Sequence, residues 1–403
     1  SNQANETHYH RCPCLPPSSH RTQLHFTPFM PKLRVKWKKD AILDRAVSFD
    51  KKWRSCSKIA RYVRDQPGHA TALESLSNKY DRFRLSKPLK RFIDKTPGLF
   101  EIYRDRIKPN SELVPFIRIS EGLHRFFEEE ERIYLENEPF NVMKLCKLLM
   151  MTKDKKISAG KLDIVKVDFG FPDDFLVSLV PKYPQYFRLT KSPATGKPAV
   201  ELVSWNPEFA KSVLQQQAEE KESNSGEDQN QIPGGPSFTV KLPRGFLLTN
   251  DMNNWVRAWM EIPYVSPYEA TSGLVRRSVE WEKRTVGVLH ELLSLSPLRR
   301  LRVNVLRRLR HNCEFYDRFS EIFTRHAGIF YLSLQGAVET AVLREAYKGS
   351  RLVDCDPLTE IKYGFFELLQ EGELQRVAWL RARREAILKD LEMAAMKSKF
   401  IEK

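Results

Sequence analysis

The sequence has little cysteine and no long apolar run. Only six of its 403 residues are cysteine, and their scattered positions exclude a disulfide-stapled scaffold and favour a reducing compartment. No run of 18 or more apolar residues is present, so no membrane-spanning helix is predicted. Catalytic signatures are missing as well: the chain has no G-x-G-x-x-G, Walker A, G-x-S-x-G or H-E-x-x-H motif. We therefore predict a non-enzymatic protein without a cofactor.

Three short motifs resemble pieces of catalytic sites without completing one. The segment 194–197 (ATGK) lacks the glycine spacing of a phosphate-binding loop. Asp173 and Asp174 follow a proline at a predicted helix start, where acidic residues favour the helix dipole. His290 and Glu291 lie within a helical pattern and are interpreted as structural.

Metal binding is the remaining chemical possibility, and the spacing does not favour it. Cys12 and Cys14 lie near several histidines, but a single C-x-C without a second cysteine pair is a poor match to a structural zinc site. We predict no metal. The other cysteines are interpreted as small core residues: Cys56, Cys146, Cys313 and Cys355.

Positive charge and aromatic residues are abundant. The formal net charge is +16 and aromatic residues make up 11% of the chain, which argues against bulk disorder and for a polyanionic partner. Residues 31–110 carry 22 Lys/Arg against 9 Asp/Glu, and residues 276–310 carry 10 against 3. Segregation of this kind favours an electrostatic binding surface, although a solvated charged face explains any single cluster equally well.

Composition divides the chain into five segments. Residues 1–31 are predicted to be a disordered leader or the remnant of a transit peptide, because they are poor in acidic residues and rich in Ser, Thr, His and Pro. Residues 32–214 and 237–371 form two halves, joined by a flexible polar linker at 215–236. Residues 372–403 are predicted to be a charged helical tail.

A sequence repeat predicts the architecture. The segments 95–103 (KTPGLFEIY), 182–190 (KYPQYFRLT) and 325–333 (RHAGIFYLS) align without a gap on Phe100, Phe187 and Phe330, which we expect in the core. Apolar residues before each Phe follow helical i, i+3, i+4 spacing, and the period after it changes to two. We predict a mainly helical α+β fold with three helix-turn-helix plus β-hairpin units, similar to winged helices, and a C-terminal charged helix.

Basic residues interleaved with aromatic and apolar ones are the candidate binding residues. Lys and Arg neutralise phosphates, and exposed aromatic rings stack on unpaired bases. Trp37 and Trp53 equally fit core positions, and the 299–310 run equally fits an amphipathic helix with a solvated basic face. The full candidate set is Arg34, Lys36, Trp37, Lys38, Lys39, Lys51, Lys52, Trp53, Arg54, Arg82, Arg84, Lys87, Lys90, Arg91, Arg104, Arg106, Lys108, Arg299, Arg300, Arg302, Arg307, Arg308 and Arg310.

Several blocks in order resemble one family. The blocks are 32–47 (KLRVKWKKDAILDRAV), 88–103 (PLKRFIDKTPGLFEIY), 169–189 (FGFPDDFLVSLVPKYPQYFRL), 284–296 (RTVGVLHELLSLS) and 324–347 (TRHAGIFYLSLQGAVETAVLREAY). Together they resemble the plant organelle RNA recognition (PORR) domain over residues 33–371. The resemblance implies a nuclear-encoded plant protein of the chloroplast or mitochondrion. It also implies that the protein binds intron RNA and promotes group II intron splicing within a ribonucleoprotein. Other splicing factors are the implied partners, and no membrane association is implied. It supplies no residue-level RNA contacts.

Two alternatives remain open at the level of sequence. Winged-helix-like units commonly read duplex DNA, which would make the chain an organellar DNA-binding factor. A structural subunit of an organellar ribosome or another ribonucleoprotein would bind RNA as well, with the C-terminal helix as a docking arm.

Overall fold

Helices predominate in the structure, and its strands form small antiparallel sheets, as the α+β prediction requires. The computed structural model describes residues 36–79, 83, 89–191, 196–224, 235–242, 249–315, 318–336 and 338–401. Its helices are α1 (Ala41–Arg64), α2 (Leu73–Ser77), α3 (Leu89–Ile93), α4 (Glu121–Glu136), α5 (Glu138–Met150), α6 (Ala159–Phe169), α7 (Phe175–Ser178), α8 (Val213–Asn224), α9 (Asn250–Glu261), α10 (Val279–Leu295), α11 (Val303–Cys313), α12 (Ser320–Arg325) and α13 (Pro357–Ile401). Its strands are β1 (Ala70–Ala72), β2 (Phe100–Arg106), β3 (Leu113–Ile119), β4 (Lys156–Ser158), β5 (Phe187–Lys191), β6 (Pro198–Leu202), β7 (Arg300–Arg302), β8 (Phe330–Ser333), β9 (Thr340–Leu343), β10 (Tyr347–Lys348) and β11 (Arg351–Leu352).

Three sheets share one strand order. Each has a short first strand, two helices and a hairpin, and the first strand pairs with the last strand of the hairpin: β1-β3-β2, β4-β6-β5 and β7-β9-β8. We call residues 70–119, 156–202 and 300–343 the first, second and third repeats. A helix of 13 or more residues ends shortly before each of them: α1, α5 and α10.

The three aligned phenylalanines occupy equivalent positions. Phe100, Phe187 and Phe330 are the first residues of β2, β5 and β8, and all three are buried. The helix before each strand buries its apolar face beneath it, as Leu89 and Ile93 do on α3. Removing such side chains from water is the main stabilising contribution to each repeat. The prediction that these phenylalanines are core residues is confirmed.

Helix α1 packs against two repeats at once. Its N-terminal half contributes Leu43, Ala46 and Val47 to a cluster with Tyr331 of the third repeat and its neighbours. Its C-terminal half, from Trp53 onwards, belongs to the core of the first repeat. The Asp40 carboxylate caps the helix by accepting from the N–H groups of residues 42 and 43. One continuous helix spans residues 41–64, because no glycine or proline interrupts them.

A buried carboxylate joins all three repeats. Asp168, near the end of α6, accepts from the Nη2 of Arg54 at 2.9 Å and from the Nη2 of Arg302 at 2.8 Å. Arg54 lies on α1 and Arg302 on β7, so one side chain of the second repeat binds a neighbour on each side. Gly170, in the left-handed conformation with φ 69°, ends α6 there. A Cβ on it would lie 2.5 Å from Pro297, so the position requires glycine.

Helix α13 starts in the core and ends in solvent. Phe365 and Phe366 pack into the first-repeat core, where Phe365 lies 5.2 Å from Phe126 of α4 between ring centroids. Nearly two turns later, Gly372 crosses Gly98 so closely that a Cβ on Gly98 would lie 2.4 Å from a backbone carbonyl oxygen of α13. From residue 378 onward, every residue whose burial the structure describes is exposed. The predicted tail at 372–403 is therefore the outer part of a 45-residue helix that begins at Pro357.

The predicted linker is helical at its start. Residues 215–224 belong to α8, and residues 225–234 lie outside the described part of the chain. This helix consists mostly of Gln, Ala, Glu and Lys, which are all good helix formers. A segment so rich in polar residues is typical of linkers as well. The predicted leader at 1–31 lies outside the described residues altogether.

Candidate nucleic-acid interface

The first repeat presents basic side chains on one helix. Lys90 and Arg91 of α3 are exposed, while Leu89 and Ile93 of the same helix are buried. The helix therefore turns its apolar side to the core and its basic side to solvent. Arg82, Arg84 and Lys87, predicted to extend this surface, lie outside the described residues.

The hairpin that follows is basic at its tip. Arg104, Arg106 and Lys108 are all exposed. The Nη1 of Arg106 donates to the carbonyl oxygens of Pro109 at 3.3 Å and Ser111 at 3.1 Å, so this guanidinium also holds the turn between β2 and β3. Arg104 and Lys108 have no such structural contact among the described residues, which leaves them available for phosphate groups.

The N-terminal basic segment lies against the third repeat. The indole N–H of Trp37 donates to the carbonyl oxygen of Leu332 at 2.8 Å, and its ring stacks on Tyr331 with centroids 6.4 Å apart. Trp37 therefore anchors the segment while about a third of it, 36%, stays exposed. Around it, Lys36, Lys38 and Lys39 are exposed. Arg34 lies outside the described residues, and so do the side chains of Lys51 and Lys52.

Several predicted binding residues have structural contacts instead. Trp53 is buried in the first-repeat core, and Arg300 is buried with its guanidinium donating to the Tyr347 hydroxyl at 3.1 Å. Arg54 and Arg302 bind Asp168. Because burial or a carboxylate partner already occupies these side chains, we leave all four out of the proposed interface.

The remaining arginines of the 299–310 run divide in the same way. Arg299 is half-buried and donates to the carbonyl oxygens of Ser294 and Ser296 at the end of α10, so it too is left out. Arg307 and Arg308 are exposed on α11, and Arg310 is half-buried beside His311. The helix is amphipathic, with a buried apolar face and a basic outer face, as one of the two interpretations of this run predicts.

A groove beside the first repeat contains residues that the sequence analysis did not single out. It has a volume of about 940 Å³ and lies between the α3–β2 region and α13. Arg91, Phe100 and Ile102 line one wall; Arg376 and Trp379 line the other. Trp379 is 57% exposed, and the Arg383 guanidinium lies 5.2 Å from its ring centroid.

The groove combines the two chemistries that single-stranded nucleic acids require. Its arginines can bind phosphates, and Trp379 offers an exposed ring for a base. More arginines follow on the same helix at Arg381 and Arg384, both exposed. In the sequence, this wall of the groove is visible only as a tryptophan within an arginine-rich helix. The close crossing of α13 at Gly98 is what brings that tryptophan beside α3.

Metal and membrane chemistry receive no support from the described ranges. Within them, no group of three or more His, Cys, Asp or Glu side chains is placed to hold a metal ion. None of the helices in those ranges combines the length and apolarity that crossing a membrane requires.

Comparisons with known proteins identify relatives in plants. The chain is 36% identical over 333 residues to "Protein WHAT'S THIS FACTOR 1 homolog, chloroplastic" of Arabidopsis thaliana, an alignment of 81% of this chain and 62% of that protein. It is 30% identical over 342 residues to "Protein ROOT PRIMORDIUM DEFECTIVE 1" and 27% identical over 342 residues to "Protein WHAT'S THIS FACTOR 9, mitochondrial", both of Arabidopsis thaliana. These alignments cover 81% and 84% of this chain, and 82% and 86% of the respective relatives.

The chain spans less than two thirds of the length of the chloroplast relative, and no solved structure matches it. The model of the plant organelle RNA recognition domain matches residues 38–374. That range contains all three repeats and the start of α13, so the resemblance noted from the sequence is confirmed over most of the chain. The chain belongs to the plant organelle RNA recognition (PORR) domain family.

Proposed function

We propose that this protein is an organellar RNA-binding factor that holds intron RNA and promotes group II intron splicing without catalysing it. Family membership supports RNA as the partner. The names of the relatives, chloroplastic and mitochondrial, support a location in a plant organelle. Other splicing factors in the same ribonucleoprotein are the proposed protein partners.

The groove between the first repeat and α13 carries the proposal. It places Arg91 and Arg376 beside an exposed Trp379, whereas a purely structural contact between two elements would bury such an aromatic ring. Unpaired bases stack on aromatic side chains with about 1–3 kcal/mol per base, largely independently of base identity. Cations beside the ring add phosphate contacts and release counterions.

The common strand order supports a shared mode of binding. A short strand, two helices and a hairpin with the order first-third-second strand is the arrangement we interpret as winged-helix-like. In such modules the second helix and the hairpin face the nucleic acid. In the first repeat these are α3 and the β2–β3 hairpin, which carry the exposed Lys90, Arg91, Arg104 and Lys108.

The proposed mechanism is a shift in RNA conformation. Phosphate contacts position the protein, and clamped single-stranded segments favour the fold in which the intron reacts. A protein that binds the active RNA fold more tightly than inactive ones shifts the population towards it by that difference in affinity. No protein group then needs to take part in bond breaking.

Crosslinking and sequencing of the bound RNA in purified organelles tests the function. We expect enrichment on a few intron-containing transcripts, and we expect those introns to accumulate unspliced when the protein is depleted. Enrichment on ribosomal RNA would move the assignment to the ribosomal alternative. Binding to duplex DNA that exceeds binding to RNA at equal salt would move it to the DNA-binding alternative.

A second experiment tests the surface. Replacing Arg91, Arg104 and Lys108 by Gln removes three phosphate contacts, so the slope of log K against log salt is expected to fall by about 2 for single-stranded RNA. The matched control replaces Lys221, Arg257 and Lys348 by Gln, which removes the same charge from exposed positions outside the second helices and hairpins of the repeats. Equal slopes for the two triple variants would reject this surface and leave RNA binding itself intact.

A further inference from the structure

A basic cleft lies between residues 150–155, which precede the second repeat, the 267–284 segment and the end of α11 in the third repeat. Two adjoining cavities of about 520 and 540 Å³ share Lys153, Arg276, Trp281 and Glu314 in their linings. Both volumes fall in the range of ligand-binding sites. The charged residues of the basic cleft are Lys153, Lys155, Arg276, Arg277, Arg284, Arg310 and His311, with Glu269 and Glu314.

The walls of the cleft are held by hydrogen bonds between the two repeats. The N–H of Lys153 donates to the Asn312 carbonyl oxygen at 2.8 Å, and the Asn312 side-chain amide donates to the Lys156 carbonyl oxygen at 3.1 Å. Lys161 donates to the Asn312 side-chain oxygen at 2.6 Å. The cleft is thus built on fixed backbone, which limits the ordering that a ligand would require.

Two cations of the cleft, Lys153 and Arg276, form only long ion pairs. Lys153 and Arg276 both approach the same oxygen of Glu314 at 3.9 Å, while the other Glu314 oxygen accepts from the Thr271 hydroxyl at 2.6 Å. The Lys153 and Arg276 side chains are 61% and 77% exposed. Ion pairs at such a separation and exposure contribute little, so both cations can turn to another anion at small cost.

Arg284 supplies a buried donor. It is 3% exposed, its Nη1 donates to the Cys313 carbonyl oxygen at 3.3 Å, and its Nε has no hydrogen-bond partner among the residues that the structure describes. Burial lowers the pKa of this guanidinium from its ordinary value. An unsatisfied buried donor destabilises the folded state, and a bound anion would lower the cost of the buried charge.

The backbone is strained at the same place. Among the described residues, five that are not glycine have positive φ, and three of them line this cleft: Lys155 at 54°, Arg277 at 69° and Glu314 at 54°. Non-glycine residues adopt this conformation at a cost of about 1 kcal/mol or more, and such strain concentrates at binding sites.

We propose that the basic cleft binds an unpaired nucleotide of the RNA through its phosphodiester groups, as a second contact separate from the first-repeat surface. The inference rests on the proposed RNA-binding function and extends it to a second site. Lys153, Arg276 and Arg310 contact the phosphates at the mouth, and Arg284 contributes positive charge from within. Met150, Met151 and Leu274 supply apolar lining for the base and sugar.

The test replaces the mouth residues rather than the buried arginine, since loss of Arg284 can unfold the protein. In the full chain, Lys153, Arg276 and Arg310 are replaced by Gln, and binding to the crosslinked intron transcript is measured over a range of salt concentrations. The expected result is a slope lower by about 2 and binding about tenfold weaker or more at 0.15 M salt. The Lys221, Arg257 and Lys348 variant again serves as the charge-matched control.

The possible outcomes distinguish failure of the cleft as a binding site from failure of the proposed function. If wild type binds the transcript and the cleft variant matches the control, the inference is rejected and the proposed function stands. If wild type binds no RNA, both fail. If adenosine monophosphate binds the cleft while the RNA crosslinks to peptides of the first repeat and to none of the cleft, a free-nucleotide site replaces the inference.

Discussion

Neutralising the carboxylate of Asp168 is expected to weaken the contact among the three repeats. The Asp168→Asn substitution keeps the shape of the side chain and removes its charge. The carboxylate accepts from Arg54 and Arg302, and its own side chain is fully buried. Breaking a wholly buried ion pair costs about 3–5 kcal/mol, because the remaining charge loses its partner.

The structure adjusts this magnitude in two ways. The Arg54 and Arg302 side chains are 21% and 32% exposed, so water can solvate part of each freed guanidinium. Asp168 also lies in the last turn of α6, where its charge opposes the helix dipole by about 0.5 kcal/mol. We therefore expect a loss of about 2–3 kcal/mol in the free energy of unfolding.

Urea unfolding followed by circular dichroism measures this loss. Asp163→Asn is the matched control, because Asp163 lies on the same helix, is exposed and pairs only with Lys166 three residues away. It should change stability by no more than about 0.5 kcal/mol. If the two variants unfold at the same urea concentration, the buried carboxylate does not join the repeats energetically and the reasoning is refuted.

Three further predictions address other buried features. Lys147→Met leaves Glu291 without its cation at 3.1 Å and should cost about 3–5 kcal/mol in urea unfolding; a loss below 1 kcal/mol would contradict a buried pair. Burial lowers the pKa of Lys144 to about 7, so the unfolded state binds its proton more readily and stability rises from about pH 7 towards pH 10. Lys144→Met should remove that rise, about 1.4 kcal/mol per pH unit within the window, and identical pH profiles would exclude it. Gly98→Ala drives a methyl group into the α13 backbone and should increase hydrogen exchange along α13, whereas Gly364→Ala, which meets nothing within 4 Å, should leave exchange there unchanged or slower.

Local patterns predicted the parts of the fold that depend on nearby residues. The period change at Phe100, Phe187 and Phe330 predicted a helix followed by a hairpin at each site, because both periodicities arise from the local geometry of the backbone. Polar composition was a poorer guide. It suggested a linker at the start of α8, since helix-forming polar residues and loop residues overlap in type.

The candidate site was harder to predict because charge alone does not reveal its partner. Arg54 and Arg302 are as basic in sequence as Arg104, yet both bind a carboxylate 114 and 134 residues away. Trp379 shows the converse. Nothing within its own helix indicates that it lines a groove together with Arg91, because that arrangement depends on the helix crossing at Gly98.

The dual contacts of α1 have a consequence for how the chain acquires its structure during synthesis or import. The Tyr331 hydroxyl donates to Asp44, which lies 287 residues away in the sequence. Leu43, Ala46 and Val47 pack against the same distant part of the chain. In a chain that emerges N-terminus first, the apolar side of the N-terminal half of α1 therefore stays exposed to solvent until the third repeat has emerged as well. Contacts so distant along the chain slow folding and leave apolar surface open to aggregation. Newly made protein should thus depend on chaperones for most of its passage, and fragments that end before residue 330 should be captured by them rather than fold as independent domains.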